Sequence, residues 1–360
     1  MTRRGWARFG NRVARDPVEV VHDLSACAEG FWAVVTTFEG HTTAIRFADV
    51  DHADHADLTN PPPWQALTGA WETSLDKEAY LAAVTDVRER IAAGTVYQVN
   101  ICRVLSHLLD DDADIGGLAV LLSRGNPAPY AGMIIAPDAG VEVVCASPEL
   151  YLHREGRLLT SGPIKGTATI AETMLEKDYA ENVMIVDLIR NDLQRVCRPG
   201  SVRVERLCAL EQHPGLVHLV STVSGELHAR ASWDEILEAT FPPGSVSGAP
   251  KYTALEAIAD LETAPRGPYC GAVGWLEIGP DQAVRAELAV GIRTFWAERD
   301  GAGQRWLRFG SGSGITWGSD PLGEWRETEL KAARLLGLAS GTVGMPDHGR
   351  SCTGLAGWSP

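Results

Sequence analysis

Strand-like runs that arrive in adjacent pairs constrain this chain more than any other feature. Residues 31–50 (FWAVVTTFEGHTTAIRFADV) alternate apolar and polar side chains on both sides of Glu39-Gly40, the period-two pattern of two half-buried strands joined by a tight turn. This predicts a hairpin on the edge of a larger sheet. Further strand-like runs lie at 96–105, 132–136, 141–145, 216–227, 270–278, 284–295 and 304–317, with helices expected near 76–92, 172–197, 232–239, 251–261 and 321–336. Strands that follow one another closely pair antiparallel, because parallel pairing needs a long crossover each time. The expected class is therefore α+β: large, mostly antiparallel β-sheets flanked by helices.

Asn60-Pro61-Pro62-Pro63 excludes helix and disfavours a central strand, which places one internal boundary near residues 51–70. A short strand-rich segment, 1–70, is expected to pack on a main domain spanning 71–338. From about 339 the periodicity is lost and a mobile tail is expected. Asp51, His52, Asp54, His55 and Asp57 fall in the polar run and read as a solvated loop rather than as metal ligands. The first fifteen residues carry five arginines and no acid. With no apolar segment behind them they read as a solvated basic end rather than a targeting sequence.

Of the 360 residues, 32 are Lys or Arg and 47 are Asp or Glu, a formal charge of −15. Such a balance argues against nucleic acid and anionic lipid as partners. The seven cysteines include no C-x-x-C pair, so neither a zinc site nor a disulfide framework is indicated, and a reducing cytoplasm fits best. No apolar stretch approaches the roughly 20 residues that cross a bilayer. The phosphate-loop, zinc-protease and dinucleotide-binding motifs are absent, and Gly244-Ser245-Val246-Ser247-Gly248 has valine where a nucleophile elbow requires serine.

Four features have the makings of chemistry. Asp178 and Glu181 share one face of the helix near 172–197, and Glu324 and Glu327 do the same on the last helix. Carboxylates with no neighbouring His or Cys suit Mg²⁺, although Ser319-Asp320-Pro321 also reads as a helix cap that such acids would favour electrostatically. Lys165 lies in Ser161-Gly162-Pro163-Ile164-Lys165-Gly166-Thr167, read as a loop stiffened by proline; as a nucleophile its amine must be neutral. Phe309-Gly310-Ser311-Gly312-Ser313-Gly314 offers backbone amides to an anion, and His218 is either a core histidine or a general acid.

In order along the chain, VYQVNICR (96–103), ASPELYL (146–152), GPIKGTA (162–168), DYAENVMIVDLIRNDLQRVC (178–197), HLVSTVSGEL (218–227), FPPGSVSGAPK (241–251), GPYCGAVGW (267–275), GIRTF (291–295) and SGSGITWGSDP (311–321) resemble the chorismate-using enzymes, and among them the component I subunits of aminodeoxychorismate synthase. The resemblance implies that Glu181 and Glu327 bind Mg²⁺ directly, with Asp178 and Glu324 supporting through water. It implies that His218 assists departure of the ring hydroxyl. Arg293, Tyr269 and the amides of Gly312 and Gly314 would hold substrate carboxylates, and Lys251 and Ser245 would line the same site.

Two positions separate members of this family. Those that add water carry lysine where this chain has Gln98, so the resemblance implies ammonia as nucleophile. Anthranilate synthases carry alanine in place of Lys165, so the lysine implies amination at C4, giving 4-amino-4-deoxychorismate. Lys165 would add at C2 while the C4 hydroxyl leaves, and ammonia would then add at C4 and expel the lysine. No glutaminase triad is evident, and the resemblance implies that ammonia comes from a glutamine amidotransferase subunit. Pro243 and Ser247 depart from the family's usual glycine and threonine. Anthranilate synthase component I and a non-catalytic subunit of the same fold stay open as alternatives.

Overall fold

Short turns join most neighbouring strands, and every ladder between them is antiparallel. The computed structural model describes residues 5–52, 62–168, 170–174, 176–213 and 216–343. Four strands come first: β1 (Trp6–Phe9), β2 (Arg12–Val21), β3 (Gly30–Thr36) and β4 (Thr42–His52). Then follow β5 (Glu72–Thr73), α1 (Lys77–Ala92), β6 (Gln98–Leu108), α2 (Gly116–Gly125), β7 (Tyr130–Ala136), β8 (Val141–Ser147), β9 (Leu150–Glu155), β10 (Leu158–Gly162) and β11 (Ile164–Ala168). The remainder comprises α3 (Glu176–Gln194), β12 (Arg203–His213), β13 (Leu216–Glu226), α4 (Trp233–Thr240), β14 (Gly248–Ala249), α5 (Lys251–Leu261), β15 (Ala272–Ile278), β16 (Val284–Val290), β17 (Thr294–Arg299), β18 (Arg305–Ile315) and α6 (Pro321–Ala339). The α+β class is as expected.

Hydrogen-bonded neighbours trace one ribbon: β12, β13, β10, β9, β16, β15, β3, β4, β2, β1, β7, β8, β17, β18, β6, with β11 also on β13, and β5 and β14 on β6. It curls around a main core holding Trp32, Val34 and Ile45 from one stretch and Ile134, Val143 and Trp296 from another, with Ile185 and Leu193 of α3. A second core packs α2 and α6 on β7, β8, β17 and β18, and a third packs α1 and α5 on β6. Chemistry recognisable in the sequence sets the helix starts. Asp76 caps α1 through the Ala79 amide, Ser232 and Glu235 form a capping box on α4, and Asp320 ahead of Pro321 caps α6, each cap worth about 1 kcal/mol.

Several expectations are corrected. The hairpin at 31–50 is interior, not on an edge: β3 pairs with β15 and β4 with β2. The basic amino-terminal stretch is a second hairpin rather than a solvated end, and the Arg12 guanidinium lies 3.9 Å over the Trp275 ring. The run at 284–295 divides at Gly291–Arg293, where Arg293 takes φ +52°. Residues 158–168 are two strands broken at Pro163, so Lys165 sits on a strand rather than in a loop. Of the acids and histidines near residue 55, Asp51 and His52 end β4, while Asp54, His55 and Asp57 lie outside the described residues, as does the chain beyond 343. The described cysteines are all free thiols, and no described helix is long and apolar enough to cross a membrane.

Candidate active site

The two ends of the ribbon meet at Lys165. On β11, its Nζ lies 2.9 Å from Glu181 Oε1 on α3 and donates to the Ser245 carbonyl, 3.1 Å away, in the turn before β14. From the other end, Gln98 on β6 donates Nε2 to the same Glu181 oxygen at 2.8 Å, leaving its own Oε1 buried without a partner. Two glycines permit this approach. Gly166 has φ +76°, and a Cβ there would fall 2.7 Å from Met174 and 2.8 Å from Asp178; a Cβ on Gly314 would fall 2.4 Å from Gln98 Nε2.

Electrostatics hold Lys165 as an ammonium in this arrangement. Burial alone would lower its pKa, but Glu181, Glu149 and Glu327 outweigh burial and raise it. Burial likewise pushes Glu181 up, and Lys165 with Gln98 holds it below the usual carboxylate range. Glu149 lies behind them, 4% exposed, and burial pushes its carboxyl up to about 7 against the pull of Ser245 and Lys165. A carboxyl that titrates near neutrality beside a lysine can both give and take a proton. It stands in ASPELYL, where an acid in an otherwise apolar run was the only available signal.

Opposite α3, the first turns of α6 present Glu324 and Glu327. Burial raises Glu324, whose carboxylate meets the hydroxyls of Ser319 and Ser313 and feels Lys177 of α3. Glu327 pairs with Lys331 at 2.7 Å. Glu181 and Glu327 are thus each neutralised by one lysine, and their donor set is all oxygen, as a hard cation such as Mg²⁺ prefers. Among the described residues no three ligating groups converge on one point, so a cation would have to displace a lysine contact.

One edge of β18 is open. The Asn100 amide donates to the Ser247 carbonyl and the Cys102 amide to Glu262, so both turn away from β18. Their register partners Gly314 and Gly312 must then point their own N–H groups away from β6. β17 pairs with β18 only as far as Phe309, and among the described residues no strand covers that edge beyond it. Lys331, which the sequence reading missed although it lies four residues after Glu327, reaches this edge and donates to the Gly312 carbonyl at 3.1 Å. Arg293 is half-buried, and desolvation lowers its pKa with no carboxylate to offset it. Tyr269 is turned inward: its ring lies against Gly310, and its hydroxyl accepts a long 3.8 Å bond from the Cys102 thiol.

His218 is 3% exposed on β13, in register with Thr167 two residues beyond Lys165. Ser245 touches Lys165 through its carbonyl and Glu149 through its hydroxyl. Lys251 is held elsewhere: its ammonium bonds Asp192 at 2.7 Å and the Thr240 carbonyl at 3.1 Å. The structure therefore gathers Lys165, Glu181, Gln98, Ser245 and Glu149, faces them with Glu324 and Glu327, and ties Lys251 to Asp192 and Thr240 instead.

A profile of the chorismate binding enzyme family matches residues 28–337. The chain belongs to that family. This chorismate-binding enzyme is 35% identical over 321 residues, 84% of its length and 66% of the relative's, to the aminodeoxychorismate synthase component 1 of Bacillus subtilis. It is 38% identical over 277 residues, 74% of its length and 51% of the relative's, to the anthranilate synthase component 1 of Haloferax volcanii. The enzyme thus spans about half to two thirds of these relatives. Its fold is shared with anthranilate synthase component I from Streptococcus pneumoniae, at a TM-score of 0.76 and 21% identity over 91% of this chain and 92% of that one.

Proposed function

We propose that the enzyme aminates chorismate at C4 to 4-amino-4-deoxychorismate, with ammonia delivered by a separate glutamine amidotransferase subunit in a reducing cytoplasm. The observation that carries this reading is the shared Glu181 oxygen: Lys165 and Gln98 converge on it, so the site has one amine for covalent addition and an amide where a water-activating base would be needed. Lys165 first passes its proton to Glu181, 2.9 Å away, then adds at C2 as its neutral amine while the ring double bonds shift and the C4–O bond breaks; Glu181 returns that proton when the lysine leaves. Glu149 or His218 supplies the proton with which the hydroxyl leaves as water. Ammonia then forms the C4–N bond, the C2–lysine bond breaks, and the surplus proton returns to the acid. Arg293, Lys331 and the amides of Gly312 and Gly314 hold the substrate carboxylates against the chain's overall negative charge. Mg²⁺ held by Glu181 and Glu327, with Asp178 and Glu324 in support, would supply further positive charge to those carboxylates.

Mass spectrometry of the product from chorismate, Mg²⁺ and an ammonium salt tests this. The expected product is 4-amino-4-deoxychorismate, and Lys165→Ala should abolish it. Anthranilate would instead select the reading favoured by the 38% identity to the Haloferax relative.

A further inference from the structure

Charge fills a gap along β6. β14 covers one edge of that strand at Gln98 and Val99, and β5 pairs with it at Leu105 and Ser106, but no described strand lies beside Asn100 and Cys102 on the side away from β18. Two side chains take its place. Glu262, at the end of α5, accepts the Cys102 N–H at 2.8 Å, and Arg266 donates to the Asn100 carbonyl at 2.6 Å. The same guanidinium donates to both Glu262 oxygens, at 2.8 and 2.6 Å, and to the Val246 carbonyl at 2.9 Å. It is 1% exposed and lies 4.2 Å from the centre of the Phe38 ring.

A strand would have supplied those bonds with neutral amides. Burying a charged pair instead costs desolvation, and such a pair is a poor source of stability even when fully bonded. What the guanidinium adds is reach, because its planar fork satisfies groups on two separate segments at once. One segment is β6, which carries Gln98 and sets Asn100 and Cys102 in register with Gly314 and Gly312. The other is the 244–246 turn, where Ser245 accepts from the Lys165 ammonium through its carbonyl and bonds Glu149 through its hydroxyl. We propose that Arg266, locked by Glu262, is a positioning residue that sets the distance between the attacking amine of Lys165 and the amide edge that receives the substrate carboxylates. The inference rests on the reading of Lys165 as that amine and deepens it. The two members of the pair serve different walls: Glu262 holds the Cys102 amide opposite Gly312, and Arg266 reaches across to the turn that holds Lys165.

Steady-state kinetics of chorismate consumption with ammonium chloride, run on the full chain well below each variant's melting temperature, test it. Arg266→Lys keeps the charge facing Glu262, but three donors on one nitrogen cannot replace four bonds spread over a fork. Its kcat should fall by about 10- to 100-fold, with the chorismate KM within about 3-fold of wild type. Glu262→Gln keeps the shape but turns a donor toward the guanidinium and loosens the Cys102 amide. It should raise the chorismate KM at least about 5-fold, by a larger factor than it lowers kcat. A purely structural pair would lower the melting temperature and leave both constants of the folded enzyme at wild-type values, or shift both alike in both variants; either result overturns the proposal. Phe38→Leu removes the ring against the guanidinium without touching its bonds and serves where the charged variants do not fold. It should lower kcat at least about 3-fold at an unchanged KM, and a wild-type kcat there also overturns the proposal. Because the rate counts chorismate consumed, a product other than 4-amino-4-deoxychorismate overturns C4 amination and leaves these constants to decide the positioning role, whereas a wild-type enzyme that consumes no chorismate overturns both.

Discussion

Lys165 and Gln98, from opposite ends of the strand ribbon, share a single acceptor, Oε1 of Glu181. Replacing Glu181 with Gln keeps the shape and removes the charge that holds both donors. Turnover should fall by at least about 100-fold, in line with misplacement of a reacting group by an ångström. Chemical denaturation should show a smaller loss, about 1–3 kcal/mol, because the pair is only partly buried. Retention of wild-type turnover would remove Glu181 from the site.

Gly314 and Gly310 should separate activity from stability. A Cβ at Gly314 meets Gln98 Nε2 and Glu181, so Gly314→Ala should lower kcat by about 10- to 100-fold. At Gly310 the obstacle is the Tyr269 ring, 2.0 Å away in the buried core, and Gly310→Ala should cost about 1–3 kcal/mol in a thermal or urea melt.

Arg293 is a half-buried cation whose lowered pKa reflects burial without a compensating acid. Arg293→Ala should raise the KM for chorismate by about 10- to 100-fold, the worth of one charged hydrogen-bonding partner, and leave the melting temperature nearly unchanged. A stability loss with an unaltered KM would assign the arginine to structure.

Glu149 gives a pH signature. Its folded pKa, about 7, lies above the ordinary 4.5, so the native state holds a proton that the unfolded chain has released. The associated stability is complete below pH 4.5 and is lost as pH rises through about 7. Turnover should fall over the same alkaline limb, and Glu149→Gln should flatten that limb and reduce kcat by about 10²–10⁴-fold.

Behind β6, Glu262 and Arg266 form a buried pair, 2.6 Å apart, whose further bonds reach Cys102 N–H and the carbonyls of Asn100 and Val246. Glu262→Ala strands a fully buried guanidinium and should cost about 3–5 kcal/mol. Adding Arg266→Met should recover part of that loss in urea denaturation.

The sequence made local periodicity and motif order legible, but not the groups whose role depends on what folds over them. The hairpin around Glu39-Gly40, the Asp320 cap and about half of the strands followed from spacing and capping chemistry, whereas α2 and strands such as β9, β10 and β12 did not. β1 and β2 were hidden by arginines that read as solvated, whereas Arg12 lies over Trp275 and buries its stem. Lys165 looked like a loop residue because Pro163 and two glycines surround it; the glycines are there for the close approach of Asp178 and for the strand break. Glu149 owes its shifted carboxyl to burial beside Ser245 of the 243–245 turn, which no local pattern encodes. Lys331 was within reach, since its spacing from Glu327 is that of a helical ion pair.

Among the described strands, β1 to β4 are the sole hydrogen-bonded bridge between the half of the ribbon bearing Lys165 and His218 and the half bearing Gln98, Gly312 and Gly314. No described residue of these four strands is bonded to Lys165, Gln98 or Glu181, yet they act as the pin of a clasp: cut them away, and its two arms have nothing to register them.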